Sequence, residues 1–146
     1  MQKIRPLLIF TGGFFLFTVD QTIKYLALKI FTTNLLWLNT LGWHPFKNSG
    51  IAFSLPLPNI FTIALTVPTL VIISVLLWGV KNNHKNFYYF FGLCLIFWGA
   101  ISNLLDRIIY KTTIDYFLIG TGVINLADIL IISGFIIIFF KQIFKK

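Results

Sequence analysis

The chain has 146 residues, of which 58% are hydrophobic, 18% aromatic and only 11% charged, with a mean hydropathy of +0.88. Such a composition excludes an ordinary soluble domain and predicts an all-α integral membrane protein, a single domain over residues 1–146 with no internal repeat. The formal net charge of +8 does not require a nucleic acid partner, because it follows from positive-inside loops and attraction to anionic membrane lipid.

A bilayer-crossing helix needs about 20 mainly apolar residues, and four windows reach that length, at 7–29, 59–80, 87–109 and 122–141. The first has a basic head, Lys3 and Arg5, like a secretory leader. No small-residue cleavage site follows, however, and the apolar run continues through Asp20 and Lys24 to about Ile30, which predicts a first spanning helix. The longest connection, 30–58, contains LLWLNTLGWHPF at 35–46, which mixes Trp37, Trp43 and Phe46 with turn residues. It predicts an interfacial belt or a small sheet resting on the membrane. Then comes KNSGIAFSLP, where Asn48 and Gly50 suit a turn and Ile51, Ala52 and Phe53 suit the apolar mouth of a site. The single cysteine, Cys94, lies in the third window and reads as a packing residue with no internal disulfide partner. TTIDYF, 112–117, has the β-branched and aromatic character of a short extended segment before the fourth window.

Lys3, Arg5, Lys81, Lys85, Lys141, Lys145 and Lys146 fall on the side of the tails and the middle connection, against Lys29, Lys47, Arg107 and Lys111 opposite. That bias predicts both termini in the cytoplasm.

The acids are the informative residues. The chain has no Glu, and its four Asp are Asp20, Asp106, Asp115 and Asp128. Three lie inside the apolar windows, where an isolated charge costs about 2.5–3.5 kcal/mol on insertion scales. At 1.5 Å per residue, Asp20 lies about 20 Å up the first helix, Asp106 about 28 Å up the third and Asp128 about 9 Å below the outer start of the fourth. All three, joined by Asp115 in the outer connection, therefore converge on the extracytoplasmic layer of the membrane. On this reading Asp128 is more than one turn deep, so its helix N-terminus offers it little relief.

Asp20 and Lys24 are i and i+4 on one face, which favours a structural ion pair over a catalytic role. Asn103, Asp106 and Arg107 fall within one turn. An arginine beside Asp106 would keep that carboxylate ionised, and Arg107 is suited to snorkel to the interface or to hold an anionic group. Asp115 and Asp128 have no basic neighbour, while Asn125 shares a helical face with Asp128. Two unpaired carboxylates brought together cannot easily both ionise, and such a pair can activate water against a carbonyl. From spacing alone the pair fits aspartic peptidase chemistry and an ion-coupled transport site alike, and a structural subunit binding a partner helix is a third reading. Zinc is disfavoured because His44 and His84 fall on opposite sides and no Glu exists. Ser49, Ser54, Ser74, Ser102 and Ser133 lack a nucleophile setting, and no phosphate-binding glycine loop is present.

Taken together, DQTIK at 20–24, NSGIAF at 48–53, GAISNLLDR at 99–107, IDYF at 114–117 and NLAD at 125–128 make the sequence resemble the lipoprotein signal peptidases (signal peptidase II), over nearly the whole chain. The resemblance implies a bacterial, multi-pass aspartic endopeptidase of the cytoplasmic membrane with four helices and a small extracytoplasmic β-sheet cradle. It would remove the signal peptide of diacylglyceryl-modified prolipoproteins before the lipid-modified Cys, act as a monomer and need no cofactor or metal. Asp115 and Asp128 match the catalytic pair. Asp20, Lys24, Asn48, Gly50, Asn103, Asp106, Arg107 and Asn125 match positions that shape or support the pocket. The chain departs from the family in having Trp98 before Gly99, where paired glycines are usual, and in having only twelve residues between the catalytic acids. Altered packing beside the third helix and a trimmed flap over the site are the expected consequences.

Overall fold

Residues 4–38, 40–50, 58–80 and 87–144 are described in the computed structural model. The expectations for Ile51, Ala52, Phe53, Ser54 and His84, for the side chain of Arg5, and for Lys3, Lys81, Lys85, Lys145 and Lys146 lie outside the described residues.

Each apolar window folds as a helix because a backbone without water must satisfy its own hydrogen bonds. The helices are α1 (Ile4–Lys29), α2 (Asn59–Val80), α3 (Phe87–Ile109) and α4 (Leu126–Ile143), and all four are long and apolar enough to cross a membrane. Pro68 lies inside α2, a position tolerated in spanning helices where neighbouring groups take up the freed carbonyl. Large apolar side chains point outward along α2, among them Ile60, Leu65, Val75 and Trp78, as expected when lipid rather than water surrounds the bundle.

The third helix is the hub and packs against each of the other three. Its crossing with α4 runs through small residues: a Cβ at Gly92 would strike the Gly134 carbonyl, and one at Gly134 the Gly92 carbonyl. Backbones can approach that closely only where side chains are absent. Against α1 the arrangement is inverted, with a large residue filling the gap. Trp98 lies over Gly13, where a Cβ would overlap its indole, and is ringed by Phe10, Phe14 and Phe17. Its Nε1 donates to the Phe10 carbonyl at 3.0 Å. The expected departure in packing beside the third helix is thus an aromatic wedge set into a glycine of α1. Cys94 is buried in the core cluster with Ile73, Leu77 and Leu93.

The two connections at the α1/α2 and α3/α4 end of the bundle supply strands β1 (Leu35–Leu38), β2 (Leu41–Asn48), β3 (Thr113–Ile119) and β4 (Gly122–Ile124), an antiparallel sheet in the order β1-β2-β3-β4. Within β2, Trp43 faces Phe117 and Phe46 faces Asp115, so β2 carries one extra residue opposite Tyr116. Pro45 lies in that irregular stretch and has no N–H to give to a ladder, which accounts for the bulge.

Three boundaries differ from the sequence windows, one being the end of the fourth helix, at Ile143 rather than 141. The first helix begins three residues earlier, at Ile4. The fourth begins at Leu126 rather than 122, because Gly122–Ile124 pairs with Phe117–Ile119 as a hairpin turned at Gly120 (φ 64°).

Candidate active site

Lys24 is the centre of a buried ion network. One helical turn from Asp20 on α1, its Nζ lies 2.8 Å from Asp20 Oδ2 and 2.8 Å from Asp106 Oδ2 of α3. It also donates to Asn103 Oδ1 at 2.9 Å and Ser102 Oγ at 3.2 Å. Asp20, Lys24, Ser102 and Asp106 are at most 1% exposed, a burial that ionic groups tolerate only when paired and fully hydrogen-bonded. Asp20 receives Ser102 Oγ at 2.5 Å, the Tyr116 hydroxyl at 2.9 Å and the Ala127 N–H at 3.3 Å. Asp106 receives Gln21 Nε2 and the Ile114 N–H, both at 3.1 Å. Both carboxylates are saturated, and they tie α1, α3, β3 and α4 together.

Asp115 and Asp128 are held differently. Asp115, on β3, accepts from Asn48 Nδ2 at 2.9 Å and Asn125 Nδ2 at 2.7 Å. Asp128 accepts from Asn103 Nδ2 at 2.8 Å and from the Asn125 N–H at 3.3 Å. Asn125 also donates to Asn103 Oδ1 at 3.2 Å, so a chain of amides runs between the two carboxylates. Among the described residues the only ion pairs are those of Lys24 with Asp20 and Asp106, and neither Asp115 nor Asp128 has one. Burial pushes the Asp115 carboxyl up to about 6; the Asn48 amide opposes that rise and the charge of Asp128 adds to it.

The turn expected at Asn48 and Gly50 is present: the Gly50 N–H donates to Asn48 Oδ1 at 3.0 Å, which orients the amide toward Asp115.

Two sequence expectations are corrected. Asp128 is not more than a turn inside its helix: Asn125 is the N-cap and Asp128 the N3 residue of a capping box. The strand Gly122–Ile124 consumes the residues counted as helix, so Asp128 sits in the first turn, at the positive end of the helix dipole, and its carboxylate accepts the Asn125 N–H. Arg107 does not pair with its neighbour Asp106. Lys24 takes that carboxylate, and Arg107 Nη2 donates to the Gly50 carbonyl at 2.6 Å. Nor does Arg107 snorkel to an interface: it is buried, with Nη1 lacking any hydrogen-bond partner among the described residues.

All ten residues expected at the site therefore meet in one connected region, although each from a different local setting. Sequence reasoning missed Gln21, Ser102 and Tyr116. Gln21 donates to Ser102 Oγ at 2.8 Å, and the Tyr116 hydroxyl accepts the Leu126 N–H at 2.8 Å. The spacing of Asp20, Gln21 and Lys24 gives a hint of the first, but nothing local marks a serine or tyrosine as a junction. The α4 N-terminus is completely satisfied: Leu126 N–H by Tyr116, Ala127 N–H by Asp20 and Asp128 N–H by Asn125 Oδ1 at 2.9 Å. A helix end buried away from water requires such partners.

Comparison with known proteins agrees with this architecture. The family model described as signal peptidase (SPase) II matches residues 13–144. The chain is similar to the lipoprotein signal peptidase of Bartonella quintana (strain Toulouse), 39% identical with 86% of this chain and 80% of that one covered. It is also similar to that of Lactococcus lactis subsp. lactis (strain IL1403), 30% identical over 100% and 98%. A similar structure is a bacterial membrane enzyme solved at 2.3 Å, with a TM-score of 0.76 and 22% identity over 94% of this chain and 87% of that one. Another, solved at 1.9 Å, gives 0.76 and 20% over 97% and 94%. These two share the multi-pass membrane fold.

Proposed function

The chain belongs to the signal peptidase II family, and we propose that it works as an aspartic endopeptidase that removes signal peptides from diacylglyceryl-modified prolipoproteins, cutting before the lipid-modified Cys. The observation that carries the catalytic assignment is the contrast among its four acids. Asp20 and Asp106 are saturated around Lys24, whereas Asp115 and Asp128 are held by asparagine amides with no cation in ion-pair reach among the described residues. Four carboxylates against the two buried cations Lys24 and Arg107 would leave two negative charges over, and a proton shared by Asp115 and Asp128 halves that excess.

In this reading the ionised carboxylate of the pair takes a proton from water as the water oxygen bonds to the scissile carbonyl carbon. The protonated partner gives its proton to the carbonyl oxygen, forming a tetrahedral diol. Collapse of the diol breaks the C–N bond. The leaving amine takes a proton from the carboxyl that received the water's, and a diol hydroxyl returns its proton to the other carboxylate, restoring the singly protonated pair. Asn103 and Asn125 hold the acids, and Arg107 Nη1, buried without a partner among the described residues, is available to a substrate carbonyl. The enzyme acts as a monomer in the bacterial cytoplasmic membrane without cofactor or metal. Both termini are cytoplasmic, and the sheet and site lie at the extracytoplasmic face, where the acyl chains of the substrate remain in lipid.

The test is cleavage of a diacylglyceryl-modified prolipoprotein by purified protein. Asp115→Asn and Asp128→Asn should each lower kcat about 10³-fold or more while remaining folded. A folded variant that keeps parental cleavage would remove that residue from the catalytic pair, and an inactive parent would defeat the assignment of activity.

A further inference from the structure

Asp115 and Tyr116 are consecutive on β3, so their side chains leave opposite faces of the strand. Asp115 turns to the amides of Asn48 and Asn125, and Tyr116 turns to the helices. The Tyr116 ring is buried and stacked on Trp43, with ring centroids 5.5 Å apart. Its hydroxyl donates to Asp20 Oδ1 at 2.9 Å and accepts from the Leu126 N–H at 2.8 Å. One oxygen therefore fastens the strand bearing Asp115 to α1 and to the first turn of α4, two residues before Asp128. The other links between the two carboxylates run through Asn125, whose side-chain amide holds Asp115 and whose backbone N–H holds Asp128, and through the Asn103 amide, while β4 pairs with β3 only beyond Tyr116, at Phe117–Ile119. The β2 bulge lies opposite Tyr116, so the ladder is irregular where the phenol supplies the tertiary restraint.

We propose that Tyr116 is a positioning residue for the reaction assigned above, setting the separation of Asp115 and Asp128 by tying β3 to the α4 N-terminus through its hydroxyl. This inference rests on that assignment. Burial and the neighbouring Asp20 carboxylate push the Tyr116 phenol well above its ordinary range, so it keeps its proton and remains a donor to Asp20 throughout the working pH range. Without the hydroxyl the Leu126 N–H and Asp20 each lose a partner, β3 loosens from α4, and the two carboxylates separate and take up water. Both changes reduce the forces that raise the Asp115 pKa.

Two full-length variants test it from opposite ends of one hydrogen bond. Tyr116→Phe removes the hydroxyl, and Leu126→Pro removes the N–H while leaving the phenol in place. Proline suits the first position of a helix, and the extended backbone of Asn125 (φ −125°, ψ 174°) is what a following proline requires. In cleavage of the lipid-modified prolipoprotein, each variant should lose about tenfold in kcat with KM held within about twofold. In Tyr116→Phe the Asp115 limb of the pH profile of kcat/KM should move to lower pH, and the double variant should be no worse than the weaker single one. Parental kcat and an unmoved limb would overturn the proposal even with a lowered Tm, because a merely structural tyrosine affects Tm alone. If Tyr116→Phe does not fold, Leu126→Pro decides by the same kcat criterion. Asp115→Asn in the same assay separates the two claims. If it is inactive while the Tyr116 and Leu126 variants keep parental kcat, only the positioning role fails; if it is fully active, the catalytic assignment fails and this inference with it.

Discussion

Asp20 and Asp106 share one lysine, whereas Asp115 and Asp128 share none. The four acids are the same residue type, all but Asp128 are fully buried, and they are joined through Asn103, which touches both Lys24 and Asp128. The difference lies in their partners. A carboxylate that receives a cation and a backbone N–H besides a side-chain donor is held from several sides and acts as a strut. One held only by neutral amides keeps its place but not its charge, and can take up or release a proton.

Removing the cation should expose this contrast most sharply. Lys24→Met leaves two buried carboxylates without a counter-ion and should cost about 3–5 kcal/mol of stability, read as a large fall in Tm in detergent. Asp115→Asn should stay within about 1 kcal/mol of the parent near pH 4, where the carboxyl is as neutral as the amide. Equal Tm losses in the two variants would erase the distinction between strut and proton carrier.

The strut cluster also needs α1 held against α3. Gly13→Ala should cost about 1–3 kcal/mol through overlap with the Trp98 indole, and adding Trp98→Gly should recover part of it. A Gly13→Ala protein with parental Tm would show that the wedge is not tightly seated. Ser102→Ala, which takes a donor from Asp20 and an acceptor from Lys24 and Gln21, should cost about 1–2 kcal/mol without moving the Asp115 limb of the pH profile. A moved limb would mean that the two clusters are electrostatically one.

The smallest effects concern pH. The Asp115 value of about 6 includes repulsion by Asp128, so it belongs to the last proton of the pair. Loss of that proton should lower kcat/KM as pH rises through about 6 in the free enzyme, whereas kcat should persist to higher pH because bound substrate excludes water. Asn48→Ala removes a bond that favours the ionised form, so this limb should move to higher pH by less than about one unit; a shift to lower pH would contradict the geometry. Because the folded pKa lies above the ordinary carboxylate value of 3.8, the native state holds the proton longer than the unfolded chain. Stability should therefore fall as pH rises from about 4 through about 6, and Asp115→Asn should flatten that slope.

Hydropathy alone located the four spans, because lipid imposes a length and a composition that few other environments require. The i, i+4 spacing alone was enough to pair Asp20 with Lys24, since residues one turn apart face each other whatever the tertiary fold. Composition also marked the acids as costly, and hence as a site. The partners of the remaining groups depended on tertiary structure. Asp106 and Arg107 are adjacent in the chain, yet successive helical residues point about 100° apart, so Lys24 of another helix takes the acid and the Gly50 carbonyl takes the arginine. Apolar content could not separate Gly122–Ile124 from the helix after it; pairing with β3 made them strand and put Asp128 in the first turn of α4. Ser102 and Tyr116 are equally plausible locally as surface or packing residues. Only the meeting of α1, α3, β3 and α4 makes them junctions, because a buried hydroxyl must find its partners in whatever elements the fold brings beside it.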